Sequence, residues 1–229
     1  MDKHLPYFEM TKACQRPGCP LCTLITDRTA KYLDNLLFEN VSDRPFRAHF
    51  RSAGGFCPEH ADRLADYRDG LAVAILYRDI FTDQLLELSH GKGTSRAFKA
   101  EIGKSLLWNT PKKVTEPCPI CVERDRIESE YLGLLAEAFE EAELESAFRG
   151  SEGLCVAHYR KLLKLHARVP TWITEFQEAR YAKLIERVSA FIELSAYGHQ
   201  AEFEALSQAD KVVWKELLEV SKKRRTVGD

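Results

Sequence analysis

Six of the seven cysteines, and two of the seven histidines, fall into two copies of one pattern. Cys19, Cys22, Cys57 and His60 form the first copy, and Cys118, Cys121, Cys155 and His158 the second. Each copy reads CPxC, a gap, then Gly, an apolar residue, Cys, two residues and His; the gap holds 34 residues in the first copy and 33 in the second. Three thiolates and an imidazole can fill the tetrahedral shell of a zinc ion, and two cysteines one short turn apart take two corners without straining the backbone. The pattern predicts two Zn(Cys)3(His) sites per chain, each built within its own copy. A lone CxxC can be a redox pair. Two matched sets that use nearly every cysteine favour metal. Disulfides fit least: no apolar-cored signal segment opens the sequence, so the expected compartment is a reducing cytoplasm. Cys14 stands outside the pattern and is read as a small packing residue.

The elements that hold these ligands are predicted to be helices. Proline inside CPLC and CPIC presets a backbone angle suited to a first helical turn, so the second cysteine should lie in that turn. In Gly55–His60 and Gly153–His158, Cys and His fall together on one turn. Each site would then clamp two helix N-termini, whose partial positive charge favours thiolate over thiol.

Superposing Cys19 on Cys118 also brings Tyr32 and Leu33 onto Tyr131 and Leu132, and Leu36 onto Leu135. With one residue deleted, Phe50-Arg51 meets Phe148-Arg149 and Leu64 meets Leu162. This internal repeat predicts two halves of shared fold related by an approximate twofold axis. Apolar residues at helical spacing, such as Leu21, Leu24, Ile25, Tyr32 and Leu36, place a long helix after each CPxC. A second helix follows each CxxH, from about Pro58 to Tyr67 and Val156 to Ala167. A further one runs through Leu71–Leu88 and Trp172–Tyr197. Val41–Gly55, with Asp43-Arg44-Pro45, is expected to be irregular where the second copy is helix-prone. Strand signals are nearly absent, and the predicted class is all-α. The expected divisions are 1–90 for the first repeat, 91–117 for a linker with a short helix around Phe98–Trp108, 118–200 for the second repeat, and 201–229 for a C-terminal helix, capped internally at Ser207, with a basic tail.

The CPxC and Gly-apolar-Cys-x-x-His elements and their helical spacing make this chain resemble a family of uncharacterised bacterial proteins classed as a domain of unknown function. The resemblance covers about residues 5 to 200. It implies an all-helical metal-binding protein of the bacterial cytoplasm and brings no established activity with it. CPIC and CPLC also resemble the zinc knuckles of RING fingers, but the long helical gap does not fit a RING cross-brace.

With 45% hydrophobic residues in 229, the chain can bury a sizeable core. A net charge of −2 and a pI near 6.4 argue against a general nucleic-acid binder. Arg44, Arg47 and Arg51 around Phe46 and Phe50 are read as a solvated helix edge, and Lys222–Arg225 as a frayed end. No apolar run approaches the roughly 20 residues that cross a bilayer. Four protein ligands close a zinc shell and leave no open position for catalysis, so the expected function is a non-enzymatic scaffold for a protein partner or small ligand. Two alternatives are an iron–sulfur protein with Cys3His-ligated clusters and a zinc/thiol redox switch. Glu59 is the one candidate acid or base beside a ligand, and Ala157 stands at its place in the other copy. His49, His90, His166 and His199 have no partner motif. Trp108, Trp172 and Trp214 are expected in the core.

Overall fold

The computed structural model describes residues 5–65, 70–91, 116–165, 169–196 and 198–222, and every regular element among them is helical. A short helix, α1 (Leu5–Ala13), precedes the repeat. The first copy supplies α2 (Pro20–Asn35), continued by a π-helical turn at Leu36–Asn40, then α3 (Arg44–Ser52), α4 (Pro58–Ala65) and α5 (Gly70–Gly91). In the second copy come α6 (Pro119–Ala138), α7 (Ala142–Arg149), α8 (Val156–Leu165) and α9 (Thr171–Leu194). Among the described residues each copy thus supplies four α-helices in the same order, with the π-helical turn in the first copy. The predicted linker helix lies outside the described residues, as do Trp108, His166 and the tail beyond Lys222.

Val41–Gly55 is not irregular. Asp43 has extended backbone and its carboxylate accepts from the Phe46 N–H at 2.8 Å, while Pro45 sits in the first turn of α3. Asp-Arg-Pro is therefore a helix start, an N-cap followed by proline where its missing N–H costs nothing. The arginines of α3 are also not simply solvated. Arg47 pairs with Asp79 and Arg51 with Asp83, the latter through bonds of 2.6 and 2.5 Å, tying α3 to α5. Guanidiniums neutralised in this way are poor candidates for contact with phosphates.

The chain forms two compact units, and these are not the sequence repeats: residues 28–125 make one, and residues up to 27 together with those from 126 onward make the other. The divisions fall inside α2 and α6. Leu21, Leu24 and Ile25 belong to one core, with Tyr7, Met10, Ile127, Tyr131, Phe139 and Phe148; Leu33, Leu36 and Leu37 belong to the other, with Phe50, Phe56, Leu64, Leu76 and Ile120. Each long helix thus buries its start in one core and its end in the other.

Aromatic rings form the centre of each core. Phe50 meets Phe46, Phe56 and Tyr77 in the 28–125 unit, and Phe148 meets Phe139, Trp172 and Phe176 in the other. In that second unit α1, which no sequence signal announced, packs on α7.

The C-terminal segment is broken into α10 (Gln200–Ala205), α11 (Gln208–Lys211) and α12 (Val213–Ser221). Ser207 does cap: its hydroxyl accepts from the Asp210 N–H at 3.1 Å. Arg187 on α9 holds the segment through Asp210 at 2.6 Å and Glu216 at 2.5 Å. Val213 is the buried residue of α12, whereas Trp214, expected in the core, is 46% exposed. A shift of one position on a helix turns a side chain by about 100°, so the one-residue offset in α12 exchanges the two.

Candidate metal centres

All eight predicted ligands fall into two clusters of four, but the copies exchange partners. Cys19 and Cys22 gather with Cys155 and His158, and Cys57 and His60 with Cys118 and Cys121; within each cluster the ligand atoms lie within 4.8 Å of one another. The expectation that each copy closes its own site is corrected here. Each cluster lies within one compact unit: the first in residues up to 27 and from 126, the second in 28–125.

One local device builds all four half-sites. The Cys19 and Cys118 carbonyls accept from Thr23 and Val122, and those of Cys57 and Cys155 from Ala61 and Tyr159. Each of these cysteines is therefore the residue just before its helix, and the second ligand, Cys22, Cys121, His60 or His158, follows three positions later. First-turn positions at that spacing lie on one face. Free N–H groups at the helix end favour negative charge there, which suits thiolates.

The imidazoles enter both clusters by the same atom. His158 Nδ1 is 3.4, 3.5 and 3.3 Å from the sulfurs of Cys19, Cys22 and Cys155. His60 Nδ1 is 3.2, 3.6 and 3.5 Å from those of Cys57, Cys118 and Cys121. Sulfur–sulfur separations are 3.8 Å for Cys22–Cys155 and 3.7 Å for Cys57–Cys121. A tetrahedron with Zn–S bonds of about 2.3 Å has S–S edges of about 3.8 Å, and with Zn–N of about 2.0 Å its S–N edges are about 3.5 Å. The donor set and its spacing fit one tetrahedral ion in each cluster.

Electrostatics point the same way. Burial pushes the Cys19 thiol well up and raises Cys118 and Cys121. Cys155 is driven down, by hydrogen bonds from Cys19 and Cys22 that outweigh its burial. Burial opposes the charge on His158, yet bonds to Cys155, Cys22 and Glu128 raise it to about 11. Burial lowers His60. Three sulfurs this close cannot all ionise without a cation between them. A divalent ion bound there would supply that cation and hold the thiolates deprotonated.

The residues that support the ligands carry no motif in the sequence. Gln177, fully buried on α9, accepts from the Leu154 N–H at 2.9 Å and donates to the Leu154 carbonyl at 2.7 Å, and the Tyr181 hydroxyl donates to the same carbonyl at 3.1 Å. This pins the turn that delivers Cys155. Gly153 turns there with φ +68°, and a Cβ on it would stand 2.8 Å from Gln177 Oε1. The Gly18 N–H donates to Glu152 at 2.9 Å, joining the entry of one half-site to that of the other. Glu128 accepts from Lys161 at 2.6 Å and stands 3.1 Å from His158 Nε2. Polar residues on stripes that are otherwise apolar, Gln177 between Ile173 and Leu184 and Glu128 beside Ile127 and Tyr131, were the available signal. Glu59 is 54% exposed and faces Arg63 and Arg124 at 3.8 and 3.9 Å, an ion-paired surface group. Neither cluster includes Cys14, His49 or His199.

The profile of a group described as "Family of unknown function (DUF6062)" matches residues 1–199. The chain belongs to that family. The DUF6062 match takes in both CPxC and both CxxH elements and stops before α10–α12. A curated relative, "Uncharacterized 23.9 kDa protein in xynA 3'region" of Caldicellulosiruptor sp. (strain Rt8B.4), is 30% identical over 156 residues, covering 66% of this chain and 68% of the relative. No solved structure matches this DUF6062 chain. Among its described residues, no helix is long and apolar enough to cross a membrane.

Proposed function

We propose that this protein is a non-enzymatic helical scaffold stapled by two structural zinc ions, one held by Cys19, Cys22, Cys155 and His158 and the other by Cys57, His60, Cys118 and Cys121. The spacing of the ligand atoms carries this reading: all four in each cluster lie within 4.8 Å of one another, as the corners around one ion do. An iron–sulfur cluster spreads its protein ligands over more than one iron, so they would stand farther apart. Four protein ligands leave no position open for a metal-bound water or substrate. Structural zinc supplies folding free energy on the order of 10 kcal/mol, reason enough for such a site.

The scaffold part rests on apolar side chains left in solvent. Phe38 is 86%, Leu71 73% and Phe81 60% exposed in the 28–125 unit, where a protein partner or small ligand would find them. A cytoplasmic setting follows from the reduced thiols that the ligand role requires.

Metal analysis by mass spectrometry, with a visible spectrum, on protein purified anaerobically without a metal-affinity tag tests the reading. About two zinc ions per chain and no colour are expected. Iron with acid-labile sulfide and a brown colour would replace it with a redox or sensing role.

A further inference from the structure

We infer that Glu128 is a positioning residue for one metal centre only, holding the His158 ring so that Nδ1 faces the thiolates. This rests on the metal-binding reading above and deepens it. His158 is 1% exposed, and its Nδ1 lies within 3.5 Å of three sulfurs. Its other nitrogen, Nε2, lies 3.1 Å from Glu128 Oε1. A carboxylate at that nitrogen keeps the proton on Nε2, leaves the Nδ1 lone pair for the metal and fixes the ring plane. Glu128 is itself held, since its second oxygen accepts from Lys161 at 2.6 Å, one turn beyond His158 on α8. The lysine offsets the negative charge that the carboxylate would otherwise add to a centre already carrying −1.

The second centre is built without this support. Counting from the first cysteine of each CPxC, Glu128 is ten residues past Cys118, and the residue ten past Cys19 is Thr29. Thr29 is buried and its hydroxyl has no hydrogen-bond partner among the described residues. A hydroxyl at that place in the repeat carries no charge. Among the described residues no carboxylate is ion-paired with the His60 ring: Glu59, its neighbour in sequence, is 54% exposed and faces Arg63 and Arg124 instead. The two centres therefore share ligand types and differ in what orients the histidine.

The test compares the full-length chain with its Glu128→Gln and Lys161→Met variants. Zinc is titrated against a chromophoric chelator, and alkylation mapped by mass spectrometry tells which cysteines open as zinc leaves. Glu128→Gln is expected to weaken one of two zinc ions by about 10- to 100-fold, with Cys19, Cys22 and Cys155 opening first. It is also expected to speed solvent exchange of the His158 Nε2–H signal in nitrogen-15 spectra, which a purely packing role would not move. Lys161→Met keeps the carboxylate on the ring and is expected to shift affinity by less than the Gln variant. Unchanged zinc affinity and unchanged exchange in Glu128→Gln would overturn the positioning role. Failure of the unaltered chain to take up zinc would instead overturn the metal reading beneath it.

Discussion

The sulfurs of Cys22 and Cys155 lie 3.8 Å apart although 133 positions separate them in sequence. Each repeat thus contributes half a site to each cluster. Replacing Cys155 with Ser is expected to release one metal, making Cys19 and Cys22 reactive to iodoacetamide while Cys57, Cys118 and Cys121 stay protected. Peptide mapping after alkylation reads this directly. Opening of Cys118 and Cys121 instead would mean that ligands pair within a repeat.

Replacing Cys57 with Ser is expected to strip the other metal and to loosen the unit of residues 28–125, which holds all four of its ligands. Amide hydrogen exchange should rise across α3–α5 more than across α7–α9. Retention of two metals per chain would remove Cys57 from the ligand set.

Cys14 is 2% exposed, and burial pushes its thiol up to about 12. A raised acid pKa stabilises the fold while the thiol is neutral in both states, and that contribution is lost as pH climbs from about 9 toward 12. Cys14→Ala is expected to flatten this part of the stability profile and leave metal content at the unaltered value. A lost metal would show it to be a ligand.

Gln177→Ala leaves the buried Leu154 N–H without its partner, whereas the Leu154 carbonyl keeps the Tyr181 hydroxyl. The expected cost is about 1–3 kcal/mol in chemical denaturation. Gly153→Ala is expected to be destabilising as well, because φ +68° disfavours a side chain and the new Cβ meets Gln177. The double variant should cost less than the sum of the two, since removing Gln177 clears the clash. Additivity would show that strain alone penalises the alanine.

Asp43→Ala removes the cap that starts α3, at an expected cost of about 1 kcal/mol in thermal or denaturant unfolding. Asp43→Asn should recover most of it, since an amide oxygen can accept from Phe46. No loss in the alanine variant would mean that Pro45 alone sets the helix start.

Much of this fold is legible in the sequence. Helical periodicity located α2, α4–α6, α8 and α9, because long apolar stripes at one spacing admit few other folds. Misreadings arose where one residue type serves two roles. Asp43-Arg44-Pro45 reads as a break or as a capped helix start, and only the carboxylate–Phe46 contact decides. Trp214 and Val213 are neighbours on one helix, and only packing decides which is buried.

The sequence alone determined the eight candidate ligands, their grouping into Cys-x-x-Cys and Cys-x-x-His half-sites and the helix ends that carry them, because those relations span three residues and follow from helical geometry. Tertiary structure decided which half-sites meet. Both pairings offer a metal the same three sulfurs and one nitrogen, so ligand chemistry cannot distinguish them. Burial does: Leu21, Leu24 and Ile25 of α2 sit in the core that contains Leu154 and Leu162, and Ile120 of α6 sits in the core that contains Phe56 and Leu64. Each CPxC is thereby delivered to the CxxH of the other repeat.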